Sequence, residues 1–228
     1  MNQSTKNDLG TVLITGGASG LGAATVDAVR AAGGVAIVVD RDKPDTDVPW
    51  EYADLAYSQD SERAVRSLIA RTGGRLDAMF TAVGADACGK LDEVATEDWE
   101  RVVRANLIGT AAVIRAALPA LRASRGSIVT CASTLGLEAL PDATAYCASK
   151  FGMVGLTRAL AAETAGEVGV TLLIPGGMDT AFVDGRPPEY APPPDIPLDN
   201  PEDVAAAAVF AMSQPRGREI SEMAVARS

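Results

Sequence analysis

The 228-residue chain contains no histidine. That absence removes Ser-His-Asp hydrolysis, Cys-His proteolysis and His-ligated zinc chemistry. Any general acid or base must then be Tyr, Lys, Cys or a carboxylate. Cysteine is scarce as well. Cys88, Cys131 and Cys147 lack metal-ligand spacing and read as reduced thiols, so no metal site is expected. No apolar run approaches the roughly 20 residues needed to cross a bilayer. The first ten residues, MNQSTKNDLG, lack the apolar stretch of a secretory signal. The expectation is a soluble, cytoplasmic protein with no membrane partner. Basic clusters are missing too. The formal charge is −10, from 30 acidic and 20 basic residues, which disfavours nucleic acid as a partner.

What is present is enough apolar residue, 47% of the chain, to build one sizeable core. Short apolar runs alternate with helical patterns. Strands are expected at Thr11–Thr15, Val35–Asp40, Trp50–Asp54, Leu76–Thr81, Ser127–Ser133, Val170–Ile174 and Glu219–Val225. Helices are expected at Leu21–Ala32, Asp60–Arg71, Glu97–Arg122, Ala145–Ala165 and Pro201–Met212. Strands such as Val35–Val39 are apolar on both faces, which suits a parallel sheet covered on both sides. The alternation predicts a single-domain α/β fold over residues 1–228, with a Rossmann-type doubly wound parallel sheet. Gly33-Gly34 should end the first helix, and Asn200-Pro201 should start the last one with Asn200 as its cap. The stretch from Gly185 to Pro201 is rich in proline, which forbids regular structure. It reads either as a linker or as a substrate loop, at about residues 181–200, near the carboxyl ends of the strands.

The first strand runs into Thr15-Gly16-Gly17-Ala18-Ser19-Gly20-Leu21-Gly22 and then a helix. Gly16 allows a sharp turn, Gly20 allows backbone to approach a pyrophosphate, and Gly22 allows close packing of helix on strand. The helix N-terminus, with Ser19 and Leu21, offers N–H groups and partial positive charge to phosphates. A plain tight turn would look similar, but the strand–turn–helix setting favours a dinucleotide. Asp40 ends the second strand, 18 residues after Gly22. A carboxylate there can accept from both ribose hydroxyls and would repel a 2′-phosphate, so NAD is the expected cofactor. Arg41 is the counter-indication, since it offers a charge to NADP.

Tyr146 and Lys150 lie four residues apart near the start of a helix, which puts them on one face. A phenol titrates at about pH 10 in isolation, and a neighbouring ammonium favours its ionised form. Ser133, thirteen residues upstream, ends a strand and should reach the same edge of the sheet. Alone, each of these would pass for an ordinary polar surface residue.

Together they resemble the short-chain dehydrogenase/reductase family. The turn Thr15–Gly22, Ser133, the pair Tyr146 and Lys150, and the run Pro175–Thr180 occur in that family's order and spacing. Asn106, within Arg104–Gly109, is similar to the asparagine of the family's fourth helix. Ala53-Asp54-Leu55 is similar to its adenine-contacting segment. The resemblance implies Tyr146 as general acid or base, Lys150 as its partner and as a ribose ligand, and Ser133 as the group that polarises the substrate oxygen. It implies that Asn106 helps to hold a water, that Asp54 and Leu55 lie by the adenine, and that Thr180 contacts the nicotinamide carboxamide. Two departures stand out. Thr81-Ala82-Val83-Gly84 replaces the usual Asn-Asn-Ala-Gly, keeping Gly84 at the cofactor but losing amide hydrogen bonds in the sheet. The C-terminus is short, which makes a homodimer on the long helices a better expectation than a tail-mediated homotetramer.

The function implied is transfer of hydride between NAD(H) and a small-molecule secondary alcohol or ketone. Two alternatives stay open: an NADPH-dependent ketoacyl-type reductase, and a cofactor-binding regulatory protein without turnover. Leu135, Leu140, Met178, Phe182 and Tyr190 are candidates to line a mostly apolar pocket.

Overall fold

The computed structural model describes residues 9–184, 186–193 and 195–227. Gly185 and Pro194, within the proline-rich stretch, lie outside the described residues. Among the described residues, β1 (Thr11–Thr15), β2 (Val35–Asp40), β3 (Trp50–Tyr52), β4 (Ala78–Thr81), β5 (Ser127–Cys131), β6 (Gly169–Pro175) and β7 (Glu222–Val225) form one parallel sheet of seven strands. Their order is β3-β2-β1-β4-β5-β6-β7. The order reverses between β1 and β4. In a doubly wound sheet that switch point opens a crevice at the carboxyl ends of the strands.

Among the described residues, six α-helices cover the two faces: α1 (Gly20–Ala31), α2 (Ser58–Arg71), α3 (Thr96–Val103), α4 (Thr110–Ser124), α5 (Thr144–Glu163) and α6 (Pro201–Met212). On one face Val12, Ile14, Val38 and Phe80 pack with Val26 and Val29 of α1 and Val204 and Ala208 of α6. On the other, Leu13, Ile37, Met79 and Ile128 pack with Leu68 of α2, Val113 and Leu121 of α4 and Leu160 of α5. Burial on both faces explains the unbroken apolar strands.

Element types and order follow the sequence, while several limits move. Glu219 does not join β7. Its carboxylate accepts the N–H of Val170 at 2.9 Å, a bond that a backbone carbonyl would otherwise accept, and pairing starts at Glu222. β5 stops at Cys131, and Ser133 lies two residues beyond it. Gly33 adopts φ +84 after α1, as the turn requires. Asn200 precedes α6 with Pro201 in the first turn, but its side chain makes no capping bond.

The helix expected over Glu97–Arg122 is interrupted. Between α3 and α4 the backbone widens into a π segment, Arg104–Gly109. Gly109 is required there, because a Cβ would lie 2.1 Å from the Leu55 carbonyl oxygen. Thr96–Ser124 as a whole is long and apolar enough to cross a membrane by length and composition, yet 56% of its most apolar window is buried inside the domain. That is the burial of a core helix.

Candidate active site

The crevice is a cavity of about 850 Å³. Gly16, Ser19, Gly20 and Leu21 line it together with Asp40, Asp54 and Leu55. Gly84, Ser133, Tyr146, Lys150 and Thr180 line it as well, with Thr180 beside Gly20. Gly22 and Asn106, the remaining residues singled out from the sequence, stand behind the wall. A Cβ on Gly22 would lie 1.8 Å from the Gly16 carbonyl oxygen, so this glycine lets α1 close on the turn.

The glycine turn has the shape of a phosphate cradle. Gly16 (φ +75) and Gly20 (φ +49) take conformations that side chains resist. A Cβ at Gly16 would press on the Val83 nitrogen at 2.9 Å. Ser19 takes the position before α1 without spending its hydroxyl on a cap. The N–H groups of the first helical turn and this hydroxyl are the donors a pyrophosphate needs. The donor set and the missing Cβ atoms fit a dinucleotide.

Asp40 ends β2, and its carboxylate already accepts from two backbone N–H groups, Ala18 at 2.8 Å and Asp42 at 3.0 Å. These bonds fix the carboxylate against the turn. A carboxylate has about four lone-pair sites, so acceptor capacity remains for ribose hydroxyls. Arg41 pairs with Asp42 at 3.7 Å. Asp42 carried no weight in the sequence, although its position two residues after Asp40 was visible.

At the reacting end, Lys150 is 4% exposed and donates to the Cys131 carbonyl at 3.0 Å. Its Nζ is 5.5 Å from the centre of the Tyr146 ring. The nearby Cys131 thiol is pushed up by burial, with Lys150 pulling the other way. Ser133 is extended (φ −172, ψ 161), and its Oγ accepts from the N–H of Leu135 at 3.2 Å. An accepting hydroxyl still has its own proton to donate. Thr180 likewise accepts from the Phe182 N–H at 3.4 Å while lining the cavity.

Asn106 lies deeper, in the π segment. Its Oδ1 accepts the Ala85 N–H at 2.7 Å, and its Nδ2 donates to the Ala85 carbonyl at 2.9 Å and to Ser149 Oγ at 3.0 Å. Ser149 in turn donates to the Tyr146 carbonyl at 2.7 Å. The asparagine thus bolts the loop after β4 to the first turns of α5. Ser149 was not singled out from the sequence. Its place between Tyr146 and Lys150 was visible, but its partner sits 43 residues away.

Residues 10–191 match the family model described as short chain dehydrogenase. The chain belongs to the short-chain dehydrogenase family. Its members are oxidoreductases acting on alcohol- and ketone-type substrates with a nicotinamide cofactor. The short-chain dehydrogenase/reductase olcF of Penicillium canescens is 32% identical over 186 residues, covering 78% of this chain and 72% of that one. Two solved structures share the fold of this short-chain dehydrogenase. The ligand-free aldohexose dehydrogenase of Thermoplasma acidophilum superposes with a TM-score of 0.85 at 22% identity, covering 97% of this chain and 94% of that one. The alcohol dehydrogenase of the archaeon Thermococcus sibiricus, complexed with 5-hydroxy-NADP, gives 0.84 at 20% identity, covering 95% and 96%.

Proposed function

We propose that this short-chain dehydrogenase prefers NAD(H) and interconverts a secondary alcohol and its ketone, with Tyr146 moving the proton. The observation that carries the reading is the convergence of Ser133, Tyr146 and Lys150 on a cavity that Asp40 also lines. The cofactor, when bound, accepts or supplies the hydride. Tyr146 takes the hydroxyl proton of the alcohol as phenolate, or returns it to the ketone as phenol. Lys150, held by the Cys131 carbonyl, sets a positive charge beside the ring. Ser133 offers its O–H to the substrate oxygen. Ser19 and the first turn of α1 would hold the phosphates, Asp40 the adenosine ribose, and Thr180 the nicotinamide amide. Asp54 and Leu55 would lie by the adenine. The Pro-rich stretch over the cavity is the substrate loop.

The preference for NAD rests on three successive side chains. A 2′-phosphate would meet Asp40 and Asp42, and the one cation among them, Arg41, is already paired with Asp42. The Thermococcus neighbour is complexed with an NADP derivative, so the residues after β2 carry the distinction here. Fluorescence titration with NADH and NADPH tests it. NADH should bind at least about tenfold more tightly, as expected when a phosphate dianion faces a partly desolvated carboxylate, and Asp40→Ala should narrow the ratio. Equal or tighter binding of NADPH by the unaltered protein contradicts the assignment. Exposed Ile108 on the π segment and Phe151 on α5 support a homodimer through these helices.

A further inference from the structure

We infer that the substrate is a compact, uncharged alcohol or ketone, selected by a wall in which Asp86 holds Arg186 against Phe182. The inference rests on the proposed reading of Tyr146 and narrows its substrate class.

The wall is a chain of contacts ending on the reacting group. Asp86 lies in the loop after β4, and Arg186 lies in the proline-rich stretch after β6. Arg186 Nη2 donates to Asp86 Oδ2 at 2.5 Å, with only 22% and 12% of the two side chains exposed. The guanidinium carbon sits 5.3 Å from the centre of the Phe182 ring. That ring sits 5.9 Å from the Tyr146 ring, tilted by 49°. Phe182 also lies on Gly84, where a Cβ would come within 3.2 Å of it. All five residues line the same cavity. Much of its 850 Å³ must accommodate a dinucleotide, which leaves room for a small second reactant.

Charge sharpens the selection. Arg186 is the cation of this wall, and Asp86 neutralises it. A substrate carboxylate brought to Arg186 would also meet Asp86. Cys88, whose thiol donates to Asp86 at 3.3 Å, reports the local field. Burial, then Asp86 and Asp142, push this thiol up to about 11, against the opposing pull of Arg186. The half-buried Tyr190 phenol of the proline-rich stretch is also pushed up, by burial and then by Asp142, Glu189 and Glu93. After burial, it is the charge of Asp86, with that of Asp142, that raises the Cys88 thiol, so negative charge faces this wall. One donor remains unused: Arg186 Nε is buried with no partner among the described residues. It suits a second, neutral oxygen on the substrate, such as a hydroxyl, carbonyl or ester.

Methyl acetoacetate and acetoacetate differ little in size and carry the same ketone, one neutral and one anionic. Binding of each is read by saturation-transfer NMR with and without NADH, and turnover by loss of the nicotinamide absorbance. The ester should bind, and its kcat/KM should exceed that of the acid by roughly tenfold or more, the scale set by one added charge beside a partly buried carboxylate. Asp86→Asn should shrink the ratio, because it leaves Arg186 unneutralised. Arg186→Met should enlarge it, because it leaves Asp86 bare. A wall that merely loosened would move both variants the same way. Equal or better binding of the acid by the unaltered protein, binding of neither probe, or a ratio unmoved by Asp86→Asn overturns the inference. The expected order of binding without turnover instead contradicts the proposed function and leaves the selection standing.

Discussion

The amide of Asn106 and the hydroxyl of Ser149 meet at 3.0 Å, both buried, and join the π segment to the helix that carries Tyr146. π segments are rare and concentrate at functional sites. Here the widened turn places an amide whose donors are both used, on Ala85 and on Ser149. Ser149→Ala should remove the acceptor and leave one Asn106 donor buried and unpaired, a cost of about 1–3 kcal/mol. Urea unfolding measures that loss. Because Ser149 also holds the Tyr146 carbonyl, kcat should fall while NADH affinity stays close to that of the unaltered protein. A stability loss with unchanged kcat would confine Ser149 to the scaffold.

The sheet contains two hydroxyls with no protein partner among the described residues. Thr15 on β1 and Thr81 on β4 are register neighbours, and both Oγ1 atoms are buried and unpaired. The next residue in the row, Thr130 on β5, does have a partner, Thr157 at 2.8 Å. The lost pairing falls in the segment where Thr81-Ala82-Val83 replaces the family's usual amides. Removing an unpaired buried hydroxyl while keeping the shape is close to neutral or stabilising. Thr81→Val should therefore leave the unfolding free energy unchanged or raise it by about 1 kcal/mol, with NADH affinity unaltered. A clear loss of stability would show that the hydroxyl is satisfied in solution.

Asp77 anchors the amino ends of the central strands β1 and β4. Its side chain, 2% exposed, accepts from the Thr11 N–H at 3.0 Å, from Arg75 at 2.6 Å and from Arg216 at 2.7 Å. Burial alone would raise its pKa. The hydrogen bonds from Arg75, Thr11 and Arg216 outweigh it and hold the carboxyl below 3.8. With the folded value depressed, the contribution to stability is complete above the unfolded value and disappears as pH falls through the folded one. Asp77→Asn should destabilise the protein at neutral pH by about 1–3 kcal/mol. The gap between variant and unaltered protein should close in acid, below 3.8. A gap that stays constant with pH would assign the effect to packing.

Sequence made legible what depends on short-range pattern. The glycine turn, the apolar strands and the four-residue step from Tyr146 to Lys150 are each encoded within a few neighbours, and the structure places them where that pattern puts them. Groups joined across long stretches of chain were not legible. Asp86 and Arg186 are 100 residues apart, and nothing local to either reveals the pair. The π segment was hidden because Arg104–Gly109 has ordinary helical composition. Its cause is tertiary, in the close approach of the Leu55 carbonyl to Gly109 and the grip of Asn106 on Ala85. Glu219 was expected to begin the last strand, whereas its carboxylate caps the start of β6.

The most direct test of the account is Tyr146→Phe, assayed in both directions against a panel of secondary alcohols and ketones, with NADH binding measured by fluorescence on the same preparation. The ring is retained, so its contact with Phe182 and its place above Lys150 persist, and only the proton-carrying oxygen is lost. The account predicts that turnover falls by about 10²–10⁴-fold, the usual worth of a positioned general acid or base, while NADH binds nearly as before. Turnover close to that of the unaltered protein, with the same dependence on pH, would show that Tyr146 is not the proton carrier.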